Sequence, residues 1–128
     1  MFQKKINIAI VGFGNIGSYF YKTLEKNKNK IAFITGKLPV IKYISAKKLK
    51  KKRKVKIPKS KWVKNPIHLT TNKNIDIIVE LVGGSEGIAK KVVFSSLNLK
   101  LLRTIFQKFY FFFLYLQLHQ IFFHESQI

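Results

Sequence analysis

A glycine-rich turn near the amino terminus is the part of this sequence whose residue types and spacing can do chemistry. Residues 12–17 read G-F-G-N-I-G, directly after an apolar Ile/Val run and before apolar residues at helical spacing. In such a G-x-G-x-x-G pattern Gly12 allows a tight turn, Gly14 lets the backbone approach a diphosphate, and Gly17 lets the helix pack closely on the strand. Free N–H groups at the helix start then face the anion. The segment therefore predicts a dinucleotide-binding turn, with a purely structural glycine turn as the alternative.

The elements that must position this turn follow from the hydrophobic pattern. We predict a first strand over residues 5–11, a first helix from residue 15 to about residue 26, and a polar connection over residues 27–37. Residues 39–45 predict a second strand, and residues 67–72 a turn of helix. The apolar run 75–82 predicts a third strand, covered by helices on both faces, and residues 85 to about 97 a further helix. Strands alternating with helices indicate an α/β fold with a doubly wound parallel sheet.

The length and the residue types limit the class of protein. A chain of 128 residues is long enough for one domain but too short for a complete two-domain dehydrogenase. No cysteine is present, so disulfides and thiolate metal sites are excluded. His119 and His124 lack carboxylate or thiolate companions, and we expect no metal site. The amino terminus has no small-residue cleavage site of a secretory signal, which favours a cytoplasmic protein.

The charge is strongly positive and partly concentrated in one run. The formal net charge is +20, from 25 Lys and Arg against five acids. Part of this excess is attributable to AT-rich codons, because Lys, Asn, Ile, Phe and Tyr are all abundant. Residues 47–64 carry 11 basic side chains, and we interpret this run as a solvated excursion with a short ordered piece near Trp62. A nucleic-acid footprint is the alternative, but no recognised nucleic-acid fold accompanies it.

The last part of the chain has a different character. Seven of the 12 Phe residues lie in the last 28 positions. Residues 105–123 are long enough to be considered for a membrane span, which makes a membrane-associated protein a second alternative. Polar residues interrupt the run, so a buried or interfacial helix is an equally good interpretation. These interruptions are Gln107, Lys108, Gln117, His119 and Gln120.

Three sequence blocks, in order, carry a resemblance to a known family. They are I-V-G-F-G-N-I-G at residues 10–17, I-S-A-K at residues 44–47, and D-I-I-V-E-L-V-G-G at residues 76–84. Many dehydrogenases share the first block, whereas the third is the discriminating one. Over roughly residues 4–98 the chain resembles the N-terminal NAD(P)-binding domain of homoserine dehydrogenase.

The resemblance implies an oxidoreductase and a set of cofactor-binding residues. Enzymes of this family reduce L-aspartate 4-semialdehyde to L-homoserine with a nicotinamide cofactor, in threonine and methionine biosynthesis, and we expect the full-length members to be homo-oligomers. The implied pyrophosphate-binding residues are Gly12, Phe13, Gly14, Asn15 and Ile16, with Gly17 completing the motif. Gly83 and Gly84 would let the backbone approach the nicotinamide ribose.

The choice of cofactor depends on the residues after the second strand. NAD-preferring sites usually carry an acid there, whereas NADP requires a positive group for its 2′-phosphate. This chain offers Ser45, Ala46, Lys47 and Lys48 and no acid. NADP is therefore favoured, with NAD as the alternative; Lys47 is the first candidate for the phosphate contact and Lys48 the second, unless both are simply solvated.

The chain departs from the family after the third strand and helix. The family continues with a strand ending in T-A-N-K, whose lysine takes part in proton transfer, and then a substrate domain. Here residues 101–106 read L-L-R-T-I-F. We therefore predict an incomplete, Rossmann-like domain over residues 1–100 and an aberrant apolar tail over residues 101–128. No catalytic residue is assigned, and a frameshifted or truncated gene, whose product is inactive alone, is our hypothesis.

We expect no specific nucleic-acid partner and no membrane partner; aspartate semialdehyde and homoserine would bind only a full-length enzyme.

Overall fold

A computed structural model describes residues 4–82, 87–98 and 104–106, the last three and residues 97–98 by backbone only. Four strands form one sheet: β1 (Lys4–Val11), β2 (Lys37–Ser45), β3 (Ile77–Glu80) and β4 (Thr104–Phe106). Their order across the sheet is β2-β1-β3-β4, and every neighbouring pair is parallel. Between them lie α1 (Asn15–Thr35), a short 3-10 helix (Lys59–Lys61), α2 (Ile67–Thr71) and α3 (Ile88–Asn98). The α/β parallel fold predicted from the sequence is confirmed.

Side-chain alternation along β1 explains why both faces of the sheet are covered. Ile8 and Ile10 lie in one apolar cluster, into which Phe20 and Leu24 of α1 pack. The residues between them in the strand, Ala9 and Val11, lie in a second cluster with residues of α2 and α3. Successive side chains of a strand point to opposite faces, so one strand supplies both cores. The result is a doubly wound layer of helix, sheet and helix.

The crossing of the chain over β1 determines where a ligand can bind. The chain passes from β1 to β2 on one side and then returns to β3 on the other side of β1. In open α/β sheets such a reversal leaves a crevice at the carboxyl ends of the strands, where ligands bind. The turn that follows β1 lies at this crevice.

The first helix is longer than the sequence pattern suggested. The prediction of a helix end near residue 26 and a polar connection over residues 27–37 is wrong, because α1 continues to Thr35. Ala32 is buried on its inner side, and the helix ends only at Gly36, whose φ of 69° allows its N–H to bond the Ala32 carbonyl. Lys28, one turn before Ala32, pairs with the partly exposed Glu25, N to O 2.9 Å. The lysines and asparagines therefore form a solvated helix face rather than a linker.

Strand β4 replaces part of the expected apolar helix. We predicted a helix within residues 105–123, yet residues 104–106 pair with β3, with Ile105 opposite Ile78. A three-stranded sheet would leave the N–H and C=O groups along β3 unpaired, and β4 supplies partners for them. The remainder of the predicted tail lies outside the described residues. The domain boundary near residue 100 stays a prediction, and β4 lies on its carboxyl side.

None of the helices in the described ranges is long and apolar enough to cross a membrane.

Candidate dinucleotide-binding site

The glycine-rich turn joins the carboxyl ends of three strands. Gly12 has a φ of 97°, a backbone conformation that L-residues with a side chain rarely adopt. Its N–H donates to the Ser45 carbonyl at the end of β2, 2.9 Å away. A Cβ on Gly12 would stand 2.7 Å from the Leu81 carbonyl carbon, just beyond β3. Only a residue without a side chain fits where β1, β2 and β3 converge.

The other two glycines of the motif differ in what surrounds them. A Cβ on Gly17 would lie 2.5 Å from the Gly12 carbonyl oxygen, so Gly17 lets the first turn of α1 approach the strand end. Among the described residues, none has an atom within 4 Å of the Cβ position of Gly14. No contact within the described ranges therefore requires glycine at position 14, and its open position leaves room for a ligand to approach the backbone.

The start of α1 is chemically suited to an anion. Gly14 is the N-cap residue, and no side chain in the described part of the chain caps the first turn. Asn15 and Ile16 are exposed. The first N–H groups of a helix have no intrahelical acceptor and carry the positive end of the helix dipole. Open space at Gly14 beside an uncapped helix start is an arrangement that can accept an anion.

Phe13 lies differently from the rest of the motif. Its side chain is buried and meets the rings of Tyr21 and Trp62 edge-on, with centroid separations of 6.0 and 5.5 Å. Only the backbone of Phe13 is left for the pyrophosphate role that the resemblance implied. Burial, and secondarily the charge of Glu25, raises the pKa of the Tyr21 phenol.

The lysines that follow β2 surround an open depression. Lys47 and Lys48 are both exposed and lie just beyond Ser45, the last residue of the strand. With Lys50, Lys51 and Lys64 they line a surface depression of about 820 Å³. NAD-preferring sites usually have an acid at the end of this strand, whereas the charged residues over positions 46–64 are all cations.

The turn after β3 is described up to Val82. The Glu80 carboxylate, buried at the end of β3, accepts the Val82 N–H. The Leu81 N–H donates to the Val11 carbonyl, 2.7 Å away. These bonds direct the chain past the glycine-rich turn. Gly83 and Gly84, the candidates for the nicotinamide ribose, lie outside the described residues.

Arg53 was missed by sequence reasoning, because it lies in the lysine-rich run predicted to be a solvated excursion, yet it is half-buried. Trp62, near which a short ordered piece was predicted, is also half-buried and directly follows the 3-10 helix Lys59–Lys61. The Trp62 ring packs on Phe13, and the Arg53 guanidinium stands 4.8 Å from the centre of the Trp62 ring. The signal in the sequence was a lone arginine among lysines near the only tryptophan, because a planar guanidinium stacks on aromatic rings where an ammonium does not.

Comparison with known proteins gives the same picture of the fold. The family model described as ketopantoate reductase PanE/ApbA matches residues 8–82. The homoserine dehydrogenase of Neisseria gonorrhoeae (strain ATCC 700825 / FA 1090) is 32% identical over 96 residues, covering 75% of this chain and 22% of that protein. The homoserine dehydrogenase of Bacillus subtilis (strain 168) is 29% identical over 84 residues, covering 66% of this chain and 19% of that protein.

Solved structures agree with these relatives. The crystal structure of S. aureus homoserine dehydrogenase at pH 8.5 superposes with a TM-score of 0.71 and 31% identity, covering 81% of this chain and 25% of that one. A homoserine dehydrogenase structure from Thiobacillus denitrificans, at 22% identity and a TM-score of 0.66, shares the fold.

The resemblance drawn from the three sequence blocks is confirmed by these matches. The chain spans about a fifth to a quarter of the length of the relatives it matches. Together the matches indicate a nicotinamide dinucleotide as the cofactor, and they do not favour the nucleic-acid or membrane alternatives.

Proposed function

Because this chain belongs to the family described as ketopantoate reductase PanE/ApbA, and its relatives are homoserine dehydrogenases, we propose that it is the dinucleotide-binding portion of a homoserine dehydrogenase. The complete enzyme would transfer a hydride from the reduced nicotinamide to the aldehyde carbon of L-aspartate 4-semialdehyde, and a proton would add to the carbonyl oxygen to yield the hydroxyl of L-homoserine. The isolated chain would bind the dinucleotide without turning over the substrate. The observation that carries this proposal is the open backbone at Gly14 beside an uncapped helix start.

Each residue of the proposed site has a distinct task. The backbone of Gly12, Phe13 and Gly14 would face the pyrophosphate, with the first N–H groups of α1 at Asn15 and Ile16. Gly17 would act indirectly, by letting α1 pack against the strand end. Gly83 and Gly84 would approach the nicotinamide ribose.

The cofactor within this proposal is NADP. Its support is the row of exposed lysines after β2, with Lys47 as the first contact for the 2′-phosphate and Lys48 as the second. An acid at this position would accept hydrogen bonds from the ribose hydroxyls of NAD, and none is present there. A phosphate between cations gains charge-assisted bonds that a hydroxyl cannot make.

Titration of the purified full chain with NADPH and NADH tests this proposal. Quenching of the single tryptophan, Trp62, reports binding. We expect NADPH to bind roughly tenfold or more tightly than NADH at moderate salt, since one charged hydrogen bond contributes about that much.

The variant Gly14→Ser separates specific binding from adsorption to a basic surface. Serine is a favoured N-cap residue, and its Cβ would meet none of the residues that the structure describes, so the fold should be kept. Its side chain would fill the space needed by the pyrophosphate, and both dinucleotides should lose at least about tenfold in affinity. Lys26→Ala, on the exposed side of α1, is the control with unchanged affinity. Absence of saturable binding, or an equal response of Gly14→Ser and wild type, would overturn the proposal.

A further inference from the structure

Arg53 ties the lysine-rich loop to the glycine-rich turn through backbone carbonyls. Its Nη2 donates to Lys48 (2.6 Å), and its Nη1 donates to Leu49 (3.1 Å) and Lys51 (2.9 Å). Its Nε donates to the Phe13 carbonyl in the glycine-rich turn, 3.3 Å away. One side chain thus holds three carbonyls of its own loop and one carbonyl that lies 40 residues away in sequence.

Aromatic packing fixes the guanidinium in this position. It stands 4.8 Å from the centre of the Trp62 ring and 5.8 Å from the centre of the Phe13 ring. Within the described residues the one salt bridge joins Lys28 and Glu25. Arg53 therefore has no carboxylate partner in these ranges. Stacking and carbonyl bonds keep the charge of Arg53 in place without neutralising it.

The hydrogen-bond inventory argues that Arg53 positions other groups rather than contacting a ligand. A guanidinium has five N–H donors, and four bonds to carbonyls are already made. At most one donor is left for a ligand. The lysines whose carbonyls it holds, Lys48 and Lys51, have exposed side chains that line the depression after β2.

The loop needs such an anchor because its own charges oppose a compact shape. The five consecutive cations Lys50 to Lys54 repel one another, which favours an extended backbone unless other contacts hold it. A lysine in place of Arg53 would offer a point charge, which cannot bridge carbonyls of three loop residues and the Phe13 carbonyl at once.

We propose that Arg53 is the positioning residue for cofactor selectivity: it holds the lysines after β2 at a set place relative to the glycine-rich turn, so that they discriminate a dinucleotide with an additional phosphate from one without. This inference rests on the proposed function above. Sequence reasoning assigned selectivity to Lys47 and Lys48; the structure adds the residue that orders their loop.

The first test needs no cofactor. Limited trypsin digestion of the full chain, read by mass spectrometry, measures cleavage after Lys48, Lys50 and Lys51. Arg53→Ala and Arg53→Lys should both be cleaved there on the order of fivefold faster than wild type, because the carbonyl bonds that order the loop are lost. Lys54→Ala removes one charge and one trypsin site beside Arg53 and should leave these rates unchanged.

The second test measures the ratio of the NADH to the NADPH dissociation constant. For Arg53→Ala and Arg53→Lys we expect this ratio to fall on the order of fivefold through weaker NADPH binding, with NADH affinity within about twofold of wild type. Lys54→Ala should keep the wild-type ratio. An unfolded variant would lose its affinity for both dinucleotides. Retained NADH affinity therefore shows that the variant is folded.

The possible outcomes separate this inference from the proposed function. If Arg53→Lys matches wild type in cleavage rate and selectivity, charge alone is sufficient and the inference is overturned. If cleavage accelerates while the ratio stays constant, Arg53 orders a loop that has no part in selectivity, which also overturns it. If wild type binds neither dinucleotide, the proposed function fails and the inference fails with it, whatever the cleavage rates.

Discussion

The carbonyl oxygen of Gly12 lies directly over Gly17, where a Cβ would come within 2.5 Å of it. The end of β1 and the first turn of α1 are therefore in backbone contact, and this contact sets the entry angle of the helix. Helix and strand are packed as tightly as their main chains allow, which leaves the helix start pointing at the crevice between the strand ends.

The first prediction concerns this contact. Gly17→Ala should lower the free energy of unfolding by about 2 kcal/mol, because the added methyl must displace a backbone carbonyl in a packed turn. Urea denaturation followed by circular dichroism measures it. Gly14→Ser, in the same turn but facing open space, should change stability by less than about 0.5 kcal/mol. Equal stabilities of the two variants would contradict the described approach of α1 to β1.

The second prediction concerns Lys47. Lys47→Glu should weaken NADPH binding by roughly tenfold or more and leave NADH nearly unchanged, because a 2′-phosphate would then face a like charge. Lys42→Glu, on exposed β2 surface before the strand end, makes the same charge change away from the site and is the control. Equal losses of affinity for NADPH and NADH would show that Lys47 does not contact the 2′-phosphate.

The third prediction concerns the aromatic packing beneath the lysine-rich loop. Trp62→Leu should destabilise the fold by about 2 kcal/mol, because the half-buried ring is lost from Phe13 and from the Arg53 guanidinium. Phe33→Leu, at a position where 88% of the side chain is exposed, should have almost no effect. Circular dichroism during urea unfolding compares the two, and a neutral Trp62→Leu would argue against an ordered loop.

The fourth prediction is a pH dependence with a definite sign. Burial and then Glu25 raise the pKa of Tyr21 above its ordinary value of 10.0, while Lys28 lowers it. A group whose pKa is higher in the folded than in the unfolded protein contributes its full stabilisation at pH values below its unfolded-state pKa. This stabilisation is lost as the pH rises through the folded-state pKa. Glu25→Gln should shift the Tyr21 titration to lower pH, and Lys28→Ala should shift it to higher pH.

Nuclear magnetic resonance of the tyrosine rings measures these shifts, with Tyr21→Phe identifying the signal. Shifts of the same sign in Glu25→Gln and Lys28→Ala would contradict the charge arrangement on this turn of α1.

The local signals in this sequence predicted the parts of the fold that depend on neighbours along the chain. The apolar run before Gly12 determined β1, the spacing of Phe20 and Leu24 determined that a helix follows, and the run at residues 75–82 contains β3. The end of α1 could also have been found, since Gly36 is a typical helix terminator. The polar residues before it, however, favour a linker by composition alone, which is why the predicted end of α1 was wrong.

Other features depend on contacts between residues far apart in sequence. The burial of Phe13, the anchoring of the lysine-rich loop by Arg53, and the pairing of β4 with β3 arise only when the sheet brings distant segments together. A run of lysines has no periodicity that predicts order, because its order comes from carbonyl bonds to one guanidinium and from the Trp62 ring beneath it. By itself the sequence determined the glycine turn, the strand-helix alternation and the family. The tertiary structure decided which cations stand beside that turn, because their positions depend on long-range packing rather than on local propensity.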